Sequence, residues 1–228
     1  MKRFTKAIVA LMLTLAAMFA AGCTKNVSGT YNGHAYVDLG LPSGLLWATC
    51  NVGADNPEDY GDYFAWGETR PKSIYYWSTY QYCNGDDTTL TKYCDNSFFG
   101  YNGFTDDLTT LLPEDDAATV NWGNGWRMPT EEEWYELFQN TTNEWTTQYG
   151  VYGRRFTASN GNSLFLPAAG QRWDKLDYDA GSCGYYWSSS LCTGDSFCAE
   201  YLYFLSAYAG VYGYSRYYGF SVRPVREN

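Results

Sequence analysis

Short apolar and aromatic runs alternate with turn-forming residues along most of this chain, a pattern typical of short strands in an antiparallel sheet. Residues 36–48 predict a strand, a tight turn and a second strand. Gly and Asn separate the later predicted strands, which cover residues 155–158, 163–167, 197–205 and 220–225. Few helices, many short strands and long connections predict an α+β fold with a small twisted antiparallel sheet.

Two short helices interrupt this pattern. Thr130 and Glu133 have the spacing of a capping box. One apolar face then follows at i, i+3 and i+4: Trp134, Leu137 and Phe138. Pro113 stands near the first position of the other helix, before acidic residues that suit the helix dipole. Helix initiation explains the acids at 131–133, and a catalytic carboxylate pair is the weaker alternative.

Residues 69–107 show no clear period and are rich in Gly, Asn, Asp, Ser and Thr. We expect an insertion with little regular structure inside a single domain at residues 31–228. Long ordered loops are uncommon in compact domains and are often functional.

Two kinds of sequence alternate in the last third of the chain. Patterned segments lie at 184–190, 199–204 and 219–225, and looser Tyr-, Ser- and Gly-rich segments lie at 191–198 and 206–218. Tyr gives a large contact at low entropy cost, and Ser and Gly let a loop adapt, so this composition is typical of a binding surface. The alternative is a Tyr-rich β-protein, since Tyr also favours strands. Strand propensity does not explain tyrosines in loops, so we favour the interpretation as a binding surface.

Alternation along residues 199–205 predicts Leu202 and Phe204 in the core, with Tyr201 and Tyr203 on the other face. Arg223 is expected to pair with a carboxylate, and further core positions are expected at Trp187, Phe220 and Val222. Tyr and Arg are residue types that anchor interfaces. We therefore expect ligand contacts from the two loose segments: Leu191, Thr193, Asp195 and Phe197 from the first, and Tyr208, Tyr212, Tyr214, Arg216, Tyr217 and Tyr218 from the second.

The N-terminus predicts a targeting segment. Lys2, Arg3 and Lys6 precede an apolar run at residues 7–19 that is too short to span a bilayer. Small residues then lead to Cys23, as in a bacterial lipobox. We expect a signal peptide at residues 1–22, lipidation of Cys23 and a tether at residues 23–30. Thr24 resembles the sorting signal for the outer membrane. An acyl anchor would be the chain's one membrane contact.

The net charge limits the possible partners, and the cysteines indicate possible disulfides. Without the three basic residues of the signal peptide, 12 basic residues remain against 25 acidic ones, a net charge of −13 that argues against nucleic acid. Export permits disulfides. Cys83 and Cys94 are the favoured pair, and Cys192 and Cys198 could close a second, short loop. Cys50 is expected as a free buried thiol.

The sequence lacks the residue patterns that several kinds of catalytic, metal-binding and phosphate-binding site require. His34 is the one histidine, which excludes Ser-His-Asp and Cys-His catalysis and multi-His metal sites; we expect it in a solvated loop. No glycine-rich phosphate loop occurs. Acidic clusters leave a structural calcium open, but none has the spacing of an EF-hand loop: Asp55, Glu58, Asp59 and Asp62; Asp86 and Asp87; Asp106 and Asp107; Asp174, Asp177 and Asp179. No other cofactor is expected.

Six segments, in order, resemble one family: residues 36–54, 60–68, 121–134, 164–170, 184–190 and 219–225. The chain resembles the "major paralogous domain" of secreted lipoproteins from gut anaerobes. That domain is similar to the formylglycine-generating-enzyme-type branch of the C-type lectin-like fold. Residues 126–134, WRMPTEEEW, are the most specific part. The resemblance covers nearly all of the mature chain and implies that fold.

The branch includes a copper oxidase with a cysteine pair and non-enzymatic receptors, among them variable proteins of diversity-generating retroelements. Cys192 and Cys198 stand near the place of the enzyme's pair, but one residue too far apart and without Lys or Arg between residues 191 and 205. Thiols without nearby positive charge are weak nucleophiles. We therefore expect no enzyme, but an adhesion module or diversified receptor for an external protein or glycan. A copper oxidase and a structural envelope lipoprotein without ligand are the alternatives.

Overall fold

A computed structural model describes residues 28–228. The expected signal peptide and lipidated Cys23 lie outside the described residues. The last part of the expected tether is already part of the fold, because Ser28 donates its backbone N–H to the Tyr36 carbonyl at 2.8 Å and the first strand begins at Gly29.

Within residues 28–228, twelve strands and two α-helices form a mixed, sheet-rich structure. The helices are α1 (Ala117–Trp122) and α2 (Glu131–Asn140). The strands are β1 (Gly29–Tyr31), β2 (His34–Asp38), β3 (Leu46–Ala48), β4 (Thr141–Gln148), β5 (Val151–Ala158), β6 (Ser163–Pro167), β7 (Gln171–Trp173), β8 (Leu176–Tyr178), β9 (Gly184–Leu191), β10 (Cys198–Leu205), β11 (Tyr208–Ser215) and β12 (Val225–Arg226). Their sheets have the orders β1-β2-β3-β12, β4-β5-β6, β7-β8 and β11-β10-β9, and all strand pairs are antiparallel. The predicted α+β class is compatible with this arrangement.

The β11-β10-β9 sheet separates two hydrophobic clusters. Leu202 and Phe204 of β10 are fully buried in the cluster that also holds Trp134 and Leu137 of α2. Tyr201 belongs to the other cluster, together with the fully buried Trp187, Phe220 and Val222. Successive residues of a strand point to opposite faces, and the predicted core positions are confirmed on this basis.

The capping box of α2 is also confirmed. The Glu133 backbone N–H donates to the Thr130 hydroxyl at 3.3 Å, and the Thr130 N–H donates to the Glu133 carboxylate at 2.8 Å. The helix predicted near Pro113 is split. Residues Pro113–Asp115 form a 3₁₀ turn, and α1 starts after Asp116, whose carboxylate accepts from the Thr119 N–H at 3.0 Å.

The segment 69–107 has little regular structure, as predicted, with two 3₁₀ turns at Trp77–Thr79 and Tyr101–Gly103. It is nevertheless fixed to the core, because Tyr75 and Tyr93 are fully buried. Arg216 also holds the segment, because it donates to the Tyr93 carbonyl at 2.7 Å.

Three predictions about the C-terminal part were wrong. Residues 208–215 form strand β11 rather than a loop, and residues 220–225 contribute two isolated bridges, at Phe220 and Ser221, before the short β12. Arg223 does not meet a carboxylate. It is fully buried and donates to the Ala48 and Thr49 carbonyls and to the Asn51 side-chain oxygen.

Candidate functional site

The β10–β11 hairpin carries tyrosines on one face, because residues paired across a ladder point the same way. Tyr201 pairs with Tyr212, and Tyr203 with Gly210. Val211 points to the opposite face and joins the α2 cluster. The hairpin therefore has an apolar face that holds it in the fold and a phenolic face that does not enter that cluster.

Ring contacts join these tyrosines into a continuous array. Ring centroids lie 6.5 Å apart for Tyr203 and Tyr208, 6.0 Å for Tyr208 and Tyr212, and 4.7 Å for Tyr214 and Tyr218. Tyr201 bridges the middle, at 6.4 Å from Tyr212 and 5.6 Å from Tyr214. We call Tyr203, Tyr208, Tyr212, Tyr214 and Tyr218 the tyrosine surface. Tyr208 and Tyr212 are its most exposed members, at 45% and 39%.

Gly210 lets the two exposed rings approach each other. A Cβ atom at this position would lie 2.8 Å from the Tyr212 hydroxyl and 2.9 Å from the Tyr208 hydroxyl. Such distances are shorter than van der Waals contact, so a larger residue would displace both phenols. The glycine is therefore part of what shapes the tyrosine surface.

Arg154 holds the tip of the hairpin. Its Nη2 atom donates to the carbonyls of Leu205 at 2.8 Å and of Tyr208 at 3.3 Å. Arg154 itself is buried in β5. A charged donor on several carbonyls is a strong contact, so the turn that presents Tyr208 is supported from the neighbouring sheet.

The Tyr214 and Tyr218 phenols remain neutral over the physiological range. Burial is the main cause that raises the pKa of Tyr214 and of Tyr218 to about 12. These two residues therefore offer uncharged hydroxyls on aromatic rings, which suit stacking and hydrogen bonding rather than ion pairing.

The structure brings together part of the predicted contact set. Tyr208 and Tyr212 are exposed, and Tyr214 and Tyr218 are half-buried in the same array. Thr193 and Asp195 are exposed on a different loop, and Phe197, half-buried, packs on Phe99 at 5.1 Å. That loop is tied to residues 95–96, since the Asp95 carboxylate accepts from the Gly194 N–H at 2.8 Å.

Three members of the predicted set are unsuited to ligand contact. Leu191 is 4% exposed because it ends β9 inside the core. Arg216 is fully buried between the Trp66 and Tyr80 rings, with which it makes cation–π contacts at 5.4 and 5.3 Å. Tyr217 is 9% exposed and packs on Trp77 at 5.0 Å.

A groove that the sequence did not reveal adjoins the tyrosine surface. It is lined by Ile74, Tyr76, Ser78, Trp173, Asp174, Leu176 and Tyr178, and its volume is about 340 Å³. Trp173 stacks with Tyr218 at 6.4 Å, and Tyr76 contacts Tyr217 at 5.5 Å. The sequence signal was the polar Asp174-Lys175 pair between Trp173 and Leu176, which forms the two-residue turn of the β7–β8 hairpin.

Cys192 and Cys198 lie beside each other at the base of the hairpin, where the Cys192 N–H donates to the Cys198 carbonyl at 3.3 Å. The contact with the Cys198 thiol, followed by burial and the Glu200 charge, raises the pKa of Cys192 far above its usual value. This environment disfavours the thiolate that nucleophilic or metal chemistry requires. The structure has Cys50, Cys83 and Cys94 as free thiols too, and the favoured Cys83–Cys94 disulfide stays a prediction.

His34 lies in β2 rather than in a loop, and its ring stacks on Trp122 at 3.7 Å. Among residues 28–228, no three His, Cys, Asp or Glu side chains are grouped so that they could hold a metal ion. Some of the clustered acidic residues bond to protein groups instead. The Asp106 carboxylate, for example, accepts from the Tyr93 and Cys94 backbone N–H groups. In the same described range, no helix is long and apolar enough to cross a membrane.

Comparison with protein-family models, with curated proteins and with solved structures gives no match.

Proposed function

We propose that this chain is a non-enzymatic recognition module that binds an external protein or glycan through the tyrosine surface. The observation that carries the proposal is the array of ring contacts from Tyr203 to Tyr218, which is supported by the core and exposed at Tyr208 and Tyr212. Tyrosine is enriched in binding surfaces because it offers a large, stiff contact with a polar end.

The proposal includes the fold and location that the sequence resemblance implies. These are a C-type lectin-like domain in a lipoprotein anchored through Cys23 to the outer membrane, at the cell surface or the periplasmic face. The acidic chain makes nucleic acid an unsuitable partner. In this arrangement the acyl chain holds the domain at the membrane while the tyrosine surface meets the ligand.

Binding of immobilised glycans and extracellular proteins by the full chain tests the proposal. Replacing both Tyr208 and Tyr212 by Ala should weaken capture at least about tenfold, as expected for interface anchors. These two tyrosines are preferable to Tyr214, whose ring also packs on Phe220 at 5.7 Å. Tyr101, 43% exposed in the segment 69–107, gives the matched control Tyr101→Ala. Unchanged capture by the double variant would contradict binding through the tyrosine surface, and no capture by the unchanged chain would favour a structural lipoprotein without ligand.

A diversified receptor is a variant of the same proposal. Sequencing of the codons for residues 191–218 in a clonal culture tests it. Variation should fall on Thr193, Asp195, Tyr208 and Tyr212. It should spare the buried Arg216, because replacing Arg216 would leave its buried partner, the Tyr93 carbonyl, without a donor, which costs stability. An invariant region without a nearby template copy would remove this variant.

The copper oxidase remains the enzymatic alternative, and the contact between Cys192 and Cys198 is the observation in its favour. The raised pKa of Cys192 weighs against it. We expect the reduced protein to bind no stoichiometric copper. Copper binding that is lost in Cys192→Ser and in Cys198→Ser would overturn the non-enzymatic proposal.

A further inference from the structure

Backbone pairing fixes both walls of the groove beside Trp173. Tyr75 and Asp174 exchange two backbone hydrogen bonds of 2.9 Å, which join the segment that carries Tyr76 to the β7–β8 hairpin. Arg172 and Gly219 exchange a second pair, of 2.8 and 3.0 Å. A groove held in this way is formed before any ligand arrives, which lowers the ordering cost of binding.

Two exposed aromatic rings line this groove. Tyr76 is 47% exposed and Trp173 is 39% exposed, and Tyr178 lies 5.7 Å from Trp173. The faces of such rings carry a negative electrostatic potential. Exposed rings that surround a concave space therefore attract positive groups more than neutral ones.

Asp174 adds a full negative charge to the groove. Its backbone is fixed by Tyr75, but within residues 28–228 its carboxylate has no hydrogen bond or ion pair. The acids nearby are occupied: Asp177 pairs with Arg172 at 2.5 Å, and Asp179 accepts from the Tyr185 hydroxyl at 2.9 Å. Asp174 is thus the carboxylate that remains available to a ligand.

Among residues 28–228, no Lys or Arg lines the groove. The cation–π contacts of residues 28–228 place Lys72, Lys92, Arg172, Arg216 and Arg226 over other rings. Lys175, the second residue of the hairpin turn, does not line the groove. The whole chain also carries a net charge of −10, which favours a positive ligand over a negative one.

We propose that the groove formed by Tyr76, Trp173, Asp174 and Tyr178 binds an organic ammonium group. A quaternary ammonium headgroup or a lysine side chain of a partner would supply this chemistry. The proposal goes beyond the tyrosine surface, because none of the groove's lining residues belongs to it. A neutral sugar could stack on Trp173 but would gain less from the carboxylate.

Calorimetric titration of the full chain with choline chloride tests the site. Choline should bind, and its uncharged isostere 3,3-dimethyl-1-butanol should bind at least about tenfold more weakly, because it lacks the charge on which the cation–π contact depends. Parallel titrations with N-acetyl-lysine methylamide and with methyl glucoside separate a side-chain ligand and a sugar from a quaternary headgroup. Equal binding of choline and its isostere, binding of the glucoside alone, or no binding by either cation would overturn the inference.

Two variants locate the binding. Trp173→Ala should weaken choline binding about tenfold, whereas Trp173→Tyr, which keeps a ring, should retain most of it. Asp174→Asn should weaken binding about threefold and reduce its salt dependence. Asp174 has a φ of 53°, a conformation that Asn also tolerates, so this change should not disturb the turn.

Matched controls separate this site from the tyrosine surface. Tyr101→Ala and Asp107→Asn, exposed changes of the same kinds elsewhere, should leave choline binding unchanged. The Tyr208→Ala/Tyr212→Ala variant should also bind choline normally. If neither cation binds while the double variant still loses ligand capture, the ammonium site is wrong and the proposed function stands. If the Trp173 and Asp174 changes do not affect cation binding, the groove is not the site.

Discussion

The tyrosines of the C-terminal hairpin have different roles although they belong to one residue type. Tyr201 is 6% exposed and forms part of a hydrophobic cluster, whereas Tyr208 is 45% exposed. Composition identified these residues as a group, and both lie on the same face of the hairpin. Their position along that face decides their exposure, because Tyr201 packs on Phe220 with ring centroids 5.1 Å apart. The role of Arg216 also could not be predicted from composition, because the Tyr93 carbonyl to which it donates is 123 residues away in sequence.

Ionisation should not control binding at the tyrosine surface. Burial raises the pKa of Tyr214 and Tyr218 to about 12, so their hydroxyls stay protonated at any ordinary pH. Ligand capture should therefore be constant between about pH 6 and pH 9 as far as these groups are concerned. Surface plasmon resonance across that range checks the expectation, and a loss of capture near pH 9 that follows tyrosine ionisation would contradict it.

Asp115 should make stability depend on pH. Burial opposes its ionisation, but hydrogen bonds from Lys92, Tyr82 and Tyr93 outweigh burial and hold the pKa of the carboxyl below its usual value. A lowered folded-state pKa contributes stability that is present at neutral pH and is lost as the pH falls through it.

Asp115→Asn should therefore lower the free energy of unfolding by about 2 kcal/mol at neutral pH. The difference from the unchanged protein should shrink as the pH falls from about 4 towards 2. Urea unfolding at several pH values measures it. Asp107→Asn, an exposed change of equal charge, should have little effect; a pH-independent deficit in Asp115→Asn would show that charge is not the cause.

At the scale of elements, patterned segments were predicted and unpatterned ones were not. Strand β6 has the predicted bounds, and β10 starts one residue later than predicted. β4 was missed because its sequence TTNEWTTQ is almost entirely polar, and an edge strand needs little apolar surface. β11 was missed because its Tyr, Gly and Ser content suggested a loop. The available signal was the even spacing of Tyr208, Tyr212 and Tyr214, which places all three on one face of a strand.

Gly210 gives a test of how β11 shapes the surface. Gly210→Ala should displace the Tyr208 and Tyr212 phenols and lower ligand affinity, because its Cβ would lie within 3 Å of both hydroxyls. Stability should change by no more than about 0.5 kcal/mol, since those ring ends can move into solvent.

Gly213 is the contrasting glycine of the same strand. A Cβ there would lie 2.6 Å from the Cys192 sulfur, on the other side of the hairpin. Gly213→Ala should therefore lower the melting temperature more than Gly210→Ala and affect ligand capture less. The reverse order of effects would show that the phenol positions do not depend on Gly210.

At the scale of the whole molecule, one sheet separates a cluster shared with α2 from a cluster shared with the segment 69–107. The sequence predicted the sheet-rich class and the irregular segment. It could not predict the groove, because Tyr76 and Trp173 are almost a hundred residues apart and meet through one backbone bridge between their neighbours. Contacts of this range depend on the complete fold rather than on any local pattern.

The most direct test of the central claim compares the unchanged chain with its Tyr208→Ala/Tyr212→Ala variant on immobilised glycans and extracellular proteins. Surface plasmon resonance should show a ligand that the unchanged chain and Tyr101→Ala bind equally and that the double variant binds at least about tenfold more weakly. Melting curves should show that all three proteins are folded. Equal binding by the folded double variant would contradict recognition through the tyrosine surface.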